Sequence, residues 1–386
     1  MIMIKRDIEN ELHNLSNQYP VITLTGPRQA GKTTLAKMTF PEYHYCNLEL
    51  PEIRQLAEND PHAVFKSFSP PVIFDEIQRV PTLLSYIQVM ADETGKNGQF
   101  ILTGSHQFLL HEAVSQSLAG RTALLTLLPL SIKELSQAGL TYNRDEYILN
   151  GFLPRIYKES LEPTKAYRNY YQTYIERDLR QISNIRNLIS FEKFMHLLAG
   201  RIGQVVNLHS LANDIGISST TLNEWLSVLE ASFIIYRLKP YYENLGKRMI
   251  KSPKLYFTDI GLAAYLLGIT ELHQVGRDPL LGNLFENLVV VEALKAKMNQ
   301  GLDPNLFFFR DQHQNEVDLI YRKGRTLIPI EIKAAMTYQE SWEKNIAFFN
   351  SIAGSTAGYL IYNGDLDLQK SNVSVIHFTK THQILD

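Results

Sequence analysis

Short apolar runs at residues 21–25, 43–50, 72–76, 99–105 and 124–130 punctuate the first third of the chain, separated by stretches with helical patterning. Strand-like runs alternating with helices predict a parallel sheet. Ile4, Ile8, Leu12 and Leu15 fall at helical spacing and predict an amphipathic lead-in helix over 4–16. Residues 51–60 read as a helix halted at Pro61, and 145–189 as largely helical, with Tyr167, Tyr170, Tyr171 and Tyr174 as packing residues. Residues 205–229 divide into two short helices joined at Gly216. Ser218 or Ser219 can cap the second, whose apolar face is Leu222, Trp225, Leu226 and Leu229. Further on, 281–297 is an apolar helix, 315–333 a hairpin turning at Lys323-Gly324, and 339–350 a last helix.

At 386 residues the chain exceeds one core and predicts two or three domains. With 45% hydrophobic and 20% charged residues the balance is that of a soluble globular protein. No apolar run is long enough to span a bilayer and residues 1–10 lack a secretory pattern, so no membrane partner and a cytoplasmic location are expected. The single cysteine, Cys46, excludes an internal disulfide and a thiolate zinc cage. A net charge of −2 supplies no global field for nucleic acid, so any such binding needs a local patch.

The candidate chemistry begins at the loop between the first strand and its helix: Gly26, Pro27, Arg28, Gln29, Ala30, Gly31, Lys32 and Thr33, followed by Thr34. It fits the phosphate-loop pattern G-x-x-x-x-G-K-[ST] in the strand-loop-helix context that pattern requires. Its glycines let successive amides point inward, Lys32 reaches outer phosphates as a point charge, and the Thr33 hydroxyl takes a Mg2+ position. The apolar run 72–76 ends in Asp75 and Glu76. Asp75 is the candidate Mg2+ ligand and Glu76 the candidate base for an attacking water. Thr103 or Ser105, at the end of another strand, can touch the outer phosphate or its water, and Ser105 is preferred.

Together these pieces resemble the AAA+ ATPase superfamily. With the 72–81 continuation and Ser117-Leu-Ala-Gly-Arg-Thr122, they resemble more narrowly a prokaryotic group with an uncharacterised C-terminal domain. The resemblance implies ATP as ligand, a helical lid, and an arginine on the outermost phosphate in cis or from a neighbouring subunit. Arg121 is that candidate, which makes a homo-oligomer an expected state.

The paired helices have the shape of a helix-turn-helix. The second presents Ser219, Thr220, Thr221, Asn223 and Glu224, with no cation to anchor phosphates. The mixed basic and aromatic stretch 236–256, with Arg237, Lys239, Lys247, Arg248, Lys251 and Lys254 among tyrosines, is the candidate DNA contact; an interaction module without DNA stays open beside it. In the last third, Glu286, Asp318, Glu331 and Lys333 converge if the hairpin register aligns. Three carboxylates suit Mg2+ or Mn2+, and Lys333 would position water or steady negative charge. This order is similar to the restriction-endonuclease-like fold and its PD-(D/E)xK motif, with Val317 where proline often stands. The expected architecture is α/β: a P-loop AAA+ parallel-sheet domain (1–140), a helical lid (141–190), a winged-helix middle (191–265) and a C-terminal restriction-endonuclease-like domain (266–386). The expected function is an ATPase coupled to a metal-dependent nuclease-like domain acting on DNA. The alternative is a nucleotide-controlled switch with an inactive nuclease fold.

Overall fold

The computed structural model describes residues 3–105, 117–174, 187–241 and 252–385. Five strands, β1 (Val21–Thr25), β2 (His44–Asn47), β3 (Val72–Asp75), β4 (Phe100–Gly104) and β5 (Thr122–Thr126), pair in parallel in the order β2-β3-β4-β1-β5. Every residue of β1, β3 and β4 is buried. Alternate side chains enter separate cores: Phe74, Phe100 and Leu102 pack with the Leu83–Thr94 helix, and Ile22, Leu24, Ile73 and Ile101 with Leu12 and Leu35 on the other side. Covering both faces is what makes these strands read as continuous apolar runs. The parallel register brings the ends of β1, β3 and β4 to one edge, where the phosphate loop, Asp75 and Ser105 follow.

Several expected elements are shorter than their patterns; the strand expected over 43–50, for example, is His44–Asn47. The lead-in helix spans only Glu9–Ser16, and residues 3–6 take no regular structure. There the Arg6 guanidinium donates to the carbonyls of Ala30 (2.7 Å) and Leu128 (2.6 Å) and to Glu134 Oε1 (3.0 Å). The strand expected over 124–130 is Thr122–Thr126. Leu127 keeps one ladder bond to Thr25, and Pro129 has no N–H to continue it.

Eight further strands form a second sheet in the order β12-β13-β11-β10-β9-β8-β6-β7. They are β6 (Ile235–Pro240), β7 (Lys254–Phe257), β8 (Leu306–Arg310), β9 (Glu316–Lys323), β10 (Thr326–Lys333), β11 (Gly358–Tyr362), β12 (Leu368–Gln369) and β13 (Val373–His377). The paired helices are Leu208–Ile215 and Ser219–Ala231. Gly216 closes the first at φ 84°, and the Ser218 hydroxyl accepts the Thr221 N–H at 3.0 Å. Antiparallel β6 and β7 follow them, and β6 also pairs with β8, so the middle segment supplies the edge of the C-terminal sheet. One apolar cluster accordingly runs from Leu128 to Leu385, taking in Trp225, Leu229, Leu284 and Leu288. Among the described residues no helix is long and apolar enough to cross a membrane.

Arg6 and Glu134 are an ion pair with side-chain exposures of 8% and 0%. Removing one partner of such a pair strands a buried charge. Glu134→Ala is therefore expected to lower stability by about 3–5 kcal/mol in chemical denaturation; a loss below about 1 kcal/mol would show that the pair behaves as an exposed one.

Candidate nucleotide site and C-terminal acid cluster

The loop after β1 is shaped by positions with positive φ: Gly26 (143°), Gln29 (62°) and Gly31 (96°). A Cβ at Gly26 would stand 2.1 Å from the Leu127 carbonyl oxygen, so only glycine fits there. The loop closes on Lys32, whose Nζ donates at 2.8 Å to the carbonyls of both Gly26 and Pro27. Burial pushes the Lys32 ammonium down to about 8, with Glu76 and Asp75 opposing that shift. Thr33, in the first turn of the Lys32–Thr39 helix, donates its hydroxyl to Asp75 at 2.9 Å. Arg28 stacks over the Tyr174 ring at 5.5 Å.

Asp75 is buried and accepts two further hydroxyls, from Tyr45 at 2.7 Å and from Thr103. Burial first, then Asp75, holds the Tyr45 phenol well above its ordinary pKa, so it stays a donor. Thr33 and Asp75 form an oxygen-only donor pair that fits Mg2+. Glu76 stands in the left-handed region at φ 57°, uncommon for a residue with a Cβ. Its Oε2 accepts the Ser105 hydroxyl at 3.1 Å and the Gln78 amide. Ser105 thus sits on the candidate base, while Thr103 bridges the Asp75 carboxylate and the Glu76 N–H. Sequence reasoning named neither Tyr45 nor Gln78 here; the position of Gln78 two residues past Glu76 was a usable signal.

Beside the loop opens a cavity of about 410 Å³ walled by Ile4, Arg6, Gln29, Gly31, Thr34, Leu35, Leu130 and Pro154. Its volume and largely apolar wall suit a small organic ligand. Arg121 is not part of this site within its own chain. It precedes β5 at the opposite edge of the sheet, a strand length of about 17 Å away, and forms a two-point contact with Asp92 at 2.5 and 2.9 Å.

The second cluster forms where β7, β9, β10 and the Leu281–Asn299 helix meet. Pairing of Ile330 with Leu319 sets Asp318 beside Glu331, the register that their convergence needed. Lys333 Nζ lies 2.6 Å from Glu331 Oε1 and 3.7 Å from Asp318 Oδ2; the Ile332 N–H also donates to Oδ2 at 2.8 Å. Asn345 donates to Glu331 Oε1 at 3.2 Å, and the buried Oε2 has no hydrogen-bond partner. Glu286 accepts at a single oxygen from Lys254 (2.8 Å) and Tyr256 (2.6 Å). Desolvation raises the pKa of both Glu286 and Glu331; Lys254 is the main opposing group for Glu286, and Asp318 pushes Glu331 further up. The unpartnered oxygen and the all-oxygen donor set fit a hard divalent cation. Yet among the described residues no three His, Cys, Asp or Glu side chains gather as a metal shell. Lys333 bridges Glu331 and Asp318 instead, and Lys254 pairs Glu286 with Glu316.

Lys254 does not add to the candidate DNA contact expected over 236–256. It is buried on the acids; Tyr241 and Tyr256 are buried too, and Arg237 is paired with Glu230 at 2.7 Å. Of the described cations in that stretch, Lys239 is the exposed one. Lys247, Arg248 and Lys251 lie outside the described residues.

The fold and loop define an ATPase-like P-loop domain of AAA type, and residues 18–136 match the model of an AAA domain. Residues 142–273 and 281–381 match two domains of unknown function. Uncharacterised proteins of Mycobacterium tuberculosis and Mycobacterium bovis are 32% identical over 343 residues, covering 87% of this chain and 75% of theirs. The chain belongs to the family of these mycobacterial proteins. A solved Walker-type ATPase of Pyrococcus abyssi is similar at 16% identity and TM-score 0.42, over 68% of this chain and 96% of its own.

In the free protein Lys32 is charged below about pH 8 and neutral above it. A phosphate ligand needs the charged form, so nucleotide affinity is expected to hold steady up to about pH 7 and to fall by up to about tenfold per pH unit well above 8. Calorimetric titrations across that range would read it; affinity that does not fall above pH 9 would contradict the burial of Lys32.

Proposed function

We propose that the chain binds ATP with Mg2+ at the phosphate loop and hydrolyses it, and that its C-terminal cluster is a metal-dependent nuclease-like centre acting on DNA. The observation that carries the first half is the contact of Thr33 with Asp75 beside a buried Lys32 and a held Glu76. Main-chain amides of residues 29–33 would cradle the phosphates at the helix N-terminus. Lys32 would exchange the Gly26 and Pro27 carbonyls for the outer phosphates, and Thr33 and Asp75 would hold Mg2+. That ion supplies charge neutralisation across the phosphates. Glu76 orients and deprotonates the attacking water, its carboxylate kept in place by Ser105 and Gln78. The cavity between Leu35, Leu130 and Pro154 takes the base. Since Arg121 faces away from its own loop, its role on the outermost phosphate requires a neighbouring copy, and hence a homo-oligomer.

In the C-terminal centre Glu286, Asp318 and Glu331 would hold Mg2+ or Mn2+, which supplies Lewis-acid activation of water. Lys333, at 30% exposure, is free to turn from the acids toward a phosphodiester and offset its developing charge. A second reading, a nucleotide-controlled interaction module that cuts nothing, draws support from the lysine bridges and the absence of a gathered metal shell among the described residues.

Glu76→Gln is expected to keep ATP affinity and lose about 100-fold or more in turnover, whereas Lys32→Ala loses binding itself. Equal turnover in Glu76→Gln and wild type would remove Glu76 as the base. For the second centre, Mn2+-dependent nicking of supercoiled DNA is expected in wild type and in Lys32→Ala, and is expected to vanish in Lys333→Ala. Absence of nicking with every divalent ion tried would leave the interaction module standing.

A further inference from the structure

Each of the three expected ligands in the C-terminal cluster is held at one oxygen only. Glu286 accepts from Lys254 and Tyr256 at Oε1, Asp318 accepts the Ile332 N–H at Oδ2 with the Lys333 ammonium 3.7 Å from the same atom, and Glu331 accepts from Lys333 and Asn345 at Oε1. No described residue donates a hydrogen bond to the second oxygen of any of the three, and in Glu331 that atom is buried. A carboxylate kept for packing or charge balance gains by using both oxygens. One anchored oxygen and one left open is the arrangement of a ligand oriented by its outer partners.

We propose that Lys254 and Tyr256, from β7, are positioning residues of this centre: they fix Glu286 so that its open oxygen serves a divalent cation. The proposal rests on the reading of the acid cluster as a metal centre. Charge balance alone does not explain Lys254. Its ammonium also pairs with Glu316, which lies 3.3 Å from Arg310, so the lysine has a counter-ion without Glu286. Nor does packing explain the phenol of Tyr256: the ring is fully buried, and its hydroxyl is aimed at Glu286 from 2.6 Å. An edge strand contributed by the middle segment thereby supplies the partners of one ligand, and the C-terminal hairpin with Asn345 of the Lys344–Ala353 helix those of the other two. The centre is then complete only in the full chain.

The test is a titration of Mn2+ alone into the nucleotide-free full chain, with melting temperature and ATP affinity recorded for every variant. Tyr256→Phe deletes one hydroxyl and keeps the ring; it is expected to weaken Mn2+ binding about 10- to 100-fold while the melting curve and ATP affinity stay near wild type. Lys254→Met is expected to weaken it as well. If Lys254 were only a resident countercharge, its removal would tighten Mn2+ binding, and that result overturns the proposal. Unchanged Mn2+ affinity in Tyr256→Phe overturns it equally, and this variant decides the matter if Lys254→Met fails to fold. Glu331→Gln separates the two levels: if it binds Mn2+ like wild type, the metal reading itself falls, whereas its loss alongside an intact Tyr256→Phe rejects only the positioning role.

Discussion

Asp75 draws three hydroxyls onto one buried carboxylate, and the rest of the N-terminal site depends on that convergence. Thr33 comes from the loop helix, Tyr45 from β2 and Thr103 from β4, so one acid ties together the elements that border the crevice. A buried carboxylate is costly unless its lone pairs are used. Here they are used by groups that also set the direction in which the acid faces, and Thr103 carries the arrangement on to Glu76. The Thr33 and Asp75 oxygens are therefore held together beside the glycine-bearing loop, the kind of preorganisation that charge stabilisation needs.

The nucleotide site is not sealed off from the remainder of the chain. Arg6 holds the residues ahead of the first helix against the Ala30 carbonyl and, through Glu134, against the segment after β5. That segment is gripped from the far side by the Leu281–Asn299 helix: Lys295 donates to the Leu130 carbonyl at 2.8 Å, and Glu292 accepts the Ile132 N–H at the same distance. Leu130 and Arg6 both face the cavity beside the loop. The helix that carries Glu286 thus touches the wall of the proposed base pocket through buried, charge-assisted bonds.

What could be read from the sequence were the local patterns. The strand-loop-helix at residues 21–39 carries its own glycines and lysine; the acid pair ends an apolar run; period-two alternation allowed Asp318 to lie beside Glu331 on the condition of an aligned register, which only the fold supplies. The rest came from contacts between distant segments. Tyr45 and Thr103 reach Asp75 across neighbouring strands, and Lys254, Tyr256 and Asn345 reach the acids from elements whose order in the sheet no local pattern specifies. Arg121 followed a glycine at a suggestive place, but only topology shows that it opens β5 rather than closes it. Lys254 looked like part of a basic surface because charge in a sequence carries no direction; in the fold it turns inward to Glu286 and Glu316. The short lead-in helix has the same origin, since Arg6, ahead of it, is tied to Ala30, Leu128 and Glu134.

The central claim is that Thr33 and Asp75 form a ready seat for the metal of a nucleotide gripped by Lys32. Its most direct measurement is calorimetric titration of ATP into the folded chain with Mg2+ present and with Mg2+ chelated. The account predicts a single saturable event that weakens at least tenfold when Mg2+ is withdrawn and that disappears in Asp75→Ala. Binding of equal strength with and without the ion, or no uptake by well-folded protein, would contradict it.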